Sequence, residues 1–187
     1  MVSLLGRDAL PLVYVAFRGP AYSDVNKEKA ALDLLAPIAF GENSDLYQQL
    51  VLKEQKVDSV SFSFEDRADP ELFLVAARVK DVKDIDYVRQ QILGAYKRFT
   101  TELVPKDRLD STRSRLRYQF ALGMDSSESI ANALASYIGL RRTPETIDKV
   151  YALYDATTPQ DLRAAAAKYF VDKHRTIVTL STKEVAK

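Results

Sequence analysis

Residues 44–65, "SDLYQQLVLKEQKVDSVSFSFE", begin with the period of a helix and end with that of a strand. In the first half Leu46, Leu50 and Lys53 recur at helical spacing, and Ser44 stands where an N-cap belongs. In the second half Val60, Phe62 and Phe64 alternate with Ser59, Ser61 and Ser63. That period of two places apolar side chains on one face of a strand and small hydroxyls on the other. The serine ladder leaves two readings open: a solvated or packed sheet surface, or a surface on which something binds.

Working outward, a second strand over 72–80 follows the polar, proline-containing "DRADP", so the pair reads as an antiparallel hairpin. "LFLVAARV" is almost continuously apolar, which predicts a central strand covered on much of both faces. Upstream, a β-branched and aromatic strand over 10–18 ends at "GPAYSD", where Ser23 or Asp24 is the candidate N-cap of the next helix. Ala30, Leu34 and Ile38 form the stripe of that helix, with Pro37 predicted to kink it or end it early and Gly41 to stop it.

From Lys83 the pattern is helical for most of the remaining chain. Ile85, Val88, Ile92, Ala95, Tyr96 and Phe99 make one face, and Leu109, Thr112, Leu116 and Phe120 make the next, after Pro105 at the first helical position. A third helix begins near Ser126 or Ser127. Thr143-Pro144 and Thr158-Pro159 each announce a further helix with a cap and an N1 proline, and "RTIVTL" returns as a last strand. The whole of 1–187 therefore reads as a single α+β domain, a mainly antiparallel sheet with helices packed on it. The first strand starts so soon after Met1 that the chain reads as a piece of a longer protein, with no ordered sequence of charged, apolar and cleavage regions before it.

Composition narrows the chemistry. The 187 residues carry 27 basic and 26 acidic side chains, a formal charge of +1, with 47% hydrophobic and 28% charged residues. This is the balance of a globular domain and gives no basic excess for nucleic acid, and no apolar run is long enough to span a bilayer. Cysteine is absent and His174 is the sole histidine, so no thiolate site and no multi-histidine zinc site forms within the chain. The lack of cysteine is compatible with cytoplasm or periplasm alike.

Two acidic sets, Asp81-Asp84-Asp86 and Glu65-Asp66-Asp69, lack calcium-loop spacing and read as helix-dipole and loop carboxylates. In the basic run Lys106, Arg108, Arg113, Arg115 and Arg117, Arg113 and Arg117 lie one turn apart while Arg108 and Arg115 are displaced from them, so no single phosphate-binding face results. No glycine-rich nucleotide loop is present, and His174 stands without a nucleophile or partner ligand.

The order of pieces, and above all "RGPAYSD", "SDLYQQL" and "TPQDLRAAAAKYF", resembles the non-zinc-binding domain of the pitrilysin/insulinase family of zinc metallopeptidases, over about residues 9–180. That resemblance implies a larger protein whose paired domains close around extended peptide, with zinc held by an H-x-x-E-H motif in a different domain. This chain, with one histidine, would hold no metal and catalyse nothing alone; its partners would be that zinc domain and an extended peptide, with no nucleic acid and no membrane span. The family's substrate-clamping half carries an arginine and, seven residues on, a tyrosine at the helix-to-strand junction. Aligned on "LYQQL", those positions are Val51 and Asp58, so the clamp is vacant and the zinc-bearing half is the better match. Within that frame the strand bearing Ser59, Ser61 and Ser63 is the candidate peptide-binding strand, and a non-peptidase structural or regulatory homologue is the alternative parent.

Overall fold

Strand β2 (Val57–Ser63) turns back through residues 64–71 into β3 (Leu72–Val79), and the two pair antiparallel, with Val60 opposite Ala77, Ser61 opposite Ala76 and Phe62 opposite Val75. The alternation is broken once: the register shifts between Val57 and Ser59, leaving Asp58 as the extra residue of a β-bulge. β1 (Leu12–Arg18) pairs antiparallel with β3 on one side and with β4 (Arg175–Leu180) on the other, giving the order β2-β3-β1-β4. These elements come from a computed structural model that describes residues 10–181; the reading of the segment before Leu10 lies outside them.

β3 is central, but only one of its faces is covered. Phe73, Val75, Ala77 and Val79 are buried against helices together with Val13, Val15 and Phe17 of β1. Their neighbours Leu72, Leu74, Ala76 and Arg78 point the other way and stay exposed or half-exposed. The near-continuous apolar run of β3 therefore belongs to an uncovered sheet face that Leu12, Tyr14, Val178 and Leu180 share.

Helix α1 (Lys27–Phe40) is buried around most of its circumference, from Lys29 through Leu32, Leu35 and Ile38 to Phe40. It begins later than the sequence predicts, with Asn26 at the N-cap; the Ser23 hydroxyl instead accepts the N–H groups of Val25 and Asn26 and shapes the turn before the helix. Pro37 does not end it. Proline removes the donor that the Asp33 carbonyl would otherwise receive, and burial on several sides offsets that loss. The helix stops at Gly41, whose N–H donates to the Pro37 carbonyl at 3.1 Å. A Cβ there would sit 2.5 Å from the same oxygen, so the close approach needs glycine.

Ser44 caps as its position predicts, accepting the Tyr47 N–H at 3.1 Å. The helix it opens is not an ordinary one. α2 (Asp45–Tyr47) widens at once into a π-helical turn over Gln48–Lys53, with Glu54 N–H bonded to the Gln49 carbonyl. The wider turn keeps Leu46 and Leu50 buried but turns Lys53 to solvent, and Gln55 enters β2 with a φ of 53°.

α3 (Ile85–Thr101) buries Ile85, Val88, Ile92, Tyr96 and Phe99, the stripe its sequence predicts. Rings of Phe17, Phe40, Phe73, Tyr96 and Phe170 meet where α1, α3 and the sheet converge, with centroid separations of 4.6–5.9 Å. Each such buried side chain contributes roughly 1.5–3 kcal/mol. α4 (Lys106–Leu122) follows Pro105, which is its N-cap rather than its first residue, and α5 (Ser127–Arg141) is capped by Ser126. α6 (Thr146–Ala156) starts beyond Pro144, since Thr143 accepts the Glu145 N–H in a preceding turn. α7 (Pro159–Tyr169) has a capping box in which Thr158 accepts the Asp161 N–H and the Asp161 carboxylate accepts the Thr158 N–H.

Candidate peptide-binding edge

The bulged strand β2 forms one edge of the sheet; among the described residues no strand pairs with its outer side. From Ser59 to Phe64 it carries no charge and no proline, two of the devices that protect an edge; the bulge at Asp58 protects only its start. Its Ser59, Ser61 and Ser63 are exposed and lie in register with Arg78, Ala76 and Leu74, on the uncovered face of the sheet. Val60 is half-buried and Phe62, on the helix side, is still 38% exposed.

Along that helix side runs a cleft of about 630 Å³, within the range of roughly 300–1,000 Å³ usual for ligand sites. Its floor is the face of α1 bearing Lys29, Asp33, Pro37 and Phe40. One wall is β2 with Phe62 and Phe64, and the other is α4 with Arg115, Leu116 and Gln119. Asp66 and Tyr154 also line it, as do Glu42 and Asn43 after α1.

At one end of the floor sits a buried ionic cluster. Lys29, 2% exposed, places its Nζ 2.5 Å from Asp33 and 2.7 Å from Asp66, and 4.2 Å from the centre of the Phe64 ring. The Tyr154 hydroxyl donates to the second oxygen of Asp33 at 3.2 Å. Burial alone would lower the Lys29 pKa, but the two carboxylates hold it above its ordinary value. The converse strain falls on Asp33: burial raises its carboxyl, Lys29 opposes the rise, and the charge of Asp66 adds to it, leaving it at about 6. One ammonium serves two carboxylates, so the cluster is under-neutralised. The signal available in the sequence was a Lys29–Asp33 pair four residues apart on a helix that is otherwise apolar on that side.

The basic residues of α4 divide as their spacing predicts. Arg113 donates to the carbonyls of Tyr154 and Thr157 and pairs with Asp110, and Arg117 pairs with Asp155, both toward α6. Arg108 turns the other way to the carbonyls of Ile38 and Asn43. Arg115, half-buried, faces the cleft.

The remaining candidates lie outside the cleft. Asp81 accepts the Lys83 N–H at a 3-10 turn, Asp84 pairs with Lys56 and Asp86 with Arg89. Glu65 pairs with Arg67. His174 closes a 3-10 turn before β4, away from the β2 cleft, with its Nδ1 buried and without a partner. Val51 lies in the π-helical turn packed against the core, and Asp58 is the exposed bulge residue, 4.0 Å from Arg78. Among the described residues no group of three or more His, Cys, Asp or Glu is placed to hold a metal ion, and no helix is long and apolar enough to cross a membrane. A zinc ion therefore has no donor set in the described part of this chain.

Helices packed on one face of a four-stranded antiparallel sheet, with β2 as an open edge, define the class as an α+β domain. The chain is a member of the peptidase M16 inactive domain family, whose model matches residues 3–116. This is the pitrilysin/insulinase relationship that the sequence motifs imply. The search of curated proteins returns no match. Among solved structures, the inactive peptidase domain assigned to a zinc protease of Bordetella parapertussis superposes with a TM-score of 0.82 at 22% identity, over 100% of this chain and 98% of that one. A protease from Helicobacter pylori gives 0.81 at 20% identity over 92% of this chain. The peptidase M16 inactive domain from Pseudomonas fluorescens gives 0.78 at 14%, over 96%. The chain spans 41% of the Helicobacter protein and 43% of the Pseudomonas one. At these identities the likeness establishes the fold.

Proposed function

We propose that this domain forms part of the wall of a zinc metalloendopeptidase chamber, presenting β2 to extended peptide while a separate domain holds the zinc and performs hydrolysis. The observation that carries the reading is the outer edge of β2 from Ser59 onward, unpaired among the described strands and free of charge and proline, beside the cleft. An edge strand offers a row of free N–H and C=O groups, and a peptide that adds to it gains main-chain hydrogen bonds with little demand on its sequence. The serines beside that edge leave room and hydroxyls for the added chain. The uncovered face with Leu72, Leu74, Val178 and Leu180 supports a second role, docking of the zinc domain, since exposed contiguous apolar surface of this kind marks an interface. The vacancy at Val51 and Asp58 supports a place in the zinc-bearing half. The same vacancy is what favours the second reading, a non-peptidase homologue.

The test is a proline at the edge. Neighbouring residues of an edge strand alternate, one directing its N–H to β3 and the next outward, so Ser61→Pro and Phe62→Pro are made together and the folded variant is used. Binding of an extended peptide should fall about tenfold or more, a loss of about 1.4 kcal/mol, while the circular dichroism spectrum is retained. Unchanged affinity in a folded variant would overturn the edge reading. An intact parent reading frame without H-x-x-E-H, and without a partner subunit that carries it, would favour the non-peptidase homologue.

A further inference from the structure

A peptide added to β2 continues the pleat of the sheet, so alternate side chains point to the serine side and to the helix side. On the helix side, past Phe62 and Phe64, those side chains enter the cleft. Its floor offers nothing to an acidic side chain, because Lys29, the cation there, is already shared by two carboxylates, Asp33 and Asp66. Glu42 is exposed to water. Arg115 differs from every other charge in the cleft. It is half-buried on the α4 wall, and no hydrogen bond or ion pair joins it to the described residues, although Arg108, Arg113 and Arg117 on the same helix are all engaged.

A guanidinium withdrawn in part from water, with five donors in a planar fork, is matched best by a carboxylate that accepts two of them at once. Leu116 on the same wall, and Phe62 and Phe64 on the wall across the cleft, are suited to the methylenes that carry such a group. We propose that Arg115 is the specificity residue of the cleft, selecting extended peptides that place an acidic side chain on the helix side of β2. This rests on the strand-addition reading above; it adds the class of peptide preferred.

The experiment uses two short labelled peptides of alternating valine and threonine, identical except for one central glutamate or glutamine, with binding followed by fluorescence anisotropy. The wild-type chain should bind the glutamate peptide roughly tenfold more tightly than the glutamine peptide, the scale of a charge-assisted hydrogen-bonded pair. Arg115→Gln should bind the two alike, and Arg115→Lys should keep part of the preference, since it retains charge but not the fork. Arg117→Gln removes the same charge from the same helix outside the cleft, and it should keep the full preference. Thermal melts confirm that each variant is folded. A preference that survives in Arg115→Gln, or is lost equally in Arg117→Gln, overturns the assignment of Arg115. Absence of any preference in the wild type, with peptide binding still lost on edge proline substitution, overturns it too and leaves strand addition standing. Failure of both peptides to bind, or binding indifferent to the edge proline, overturns strand addition and this inference with it.

Discussion

Replacing Asp33 with asparagine should stabilise the domain at neutral pH, although it deletes one member of a buried ion pair. In the folded chain the Asp33 carboxyl is only 15% exposed, and it shares Lys29 with Asp66. Burial and the second carboxylate raise its pKa from 3.8 to about 6 against the pull of Lys29. The folded protein thus holds this proton more tightly than the unfolded chain, and between pH about 4 and about 6 stability falls as pH rises. At 1.36 kcal/mol per pH unit, ionising Asp33 in place costs the folded state about 3 kcal/mol. An asparagine has the shape of the protonated acid; its one carbonyl oxygen can accept from Lys29 while its amide N–H donates to the Tyr154 hydroxyl oxygen. Allowing for an imperfect amide fit, the Asp33→Asn variant should gain about 1–3 kcal/mol at pH 7.5. The gain should shrink as pH falls through about 6 to 4 and disappear below about pH 3, where Asp33 is protonated in both states of the wild type. Urea unfolding followed by circular dichroism at several pH values measures this directly. A variant less stable than wild type at pH 7.5, or a difference that does not change with pH, would refute the view that one ammonium under-neutralises two carboxylates.

Two further substitutions test the frame that holds the cleft. Gly41→Ala drives a Cβ to 2.5 Å from the Pro37 carbonyl and should cost about 1–3 kcal/mol, read as a lower urea midpoint with an unchanged slope. Thr158→Ala removes the hydroxyl that accepts the Asp161 N–H and should cost about 1 kcal/mol; Thr158→Ser should restore most of it in the same thermal melt.

Much of the framework was legible because it rests on local chemistry. The Thr158-Pro159 start of α7, the Ser44 cap and the α3 stripe each depend on residues within a turn or two, and all are where the sequence placed them. The hairpin of β2 and β3 follows likewise from alternation and a polar loop. What the sequence misplaced depends on tertiary surroundings. Pro37 stays inside a helix because that helix is packed from several sides, and the π-helical turn over Gln48–Lys53 has no counterpart in the helical spacing of Leu46 and Leu50, which an α-helix would satisfy equally. The one-sided burial of β3 was hidden because an apolar residue on an open face reads the same as one in a core. The cleft was invisible for a similar reason. Asp66 lies in a hairpin loop and Tyr154 on α6, and only the packing of the domain brings them to Lys29 and Asp33. Arg115 was half-visible, since its displacement from Arg113 and Arg117 could be read from spacing but its lack of a partner could not.

The position of β4 in the sheet governs the order in which the chain completes itself. Leu12 lies opposite Leu180, so one flank of β1 waits for the last strand while five long helical segments, counting α3 through α7, are made in between. The hairpin and β1 can associate early, but closure of the sheet is a contact of very long sequence separation, the kind that is formed late and slowly. Until then β1 is itself a bare edge, exposed to capture by a second nascent chain. The family model ends at residue 116, inside α4. The portion of the chain most recognisable in sequence is therefore one that, translated alone, leaves its own middle strand half paired.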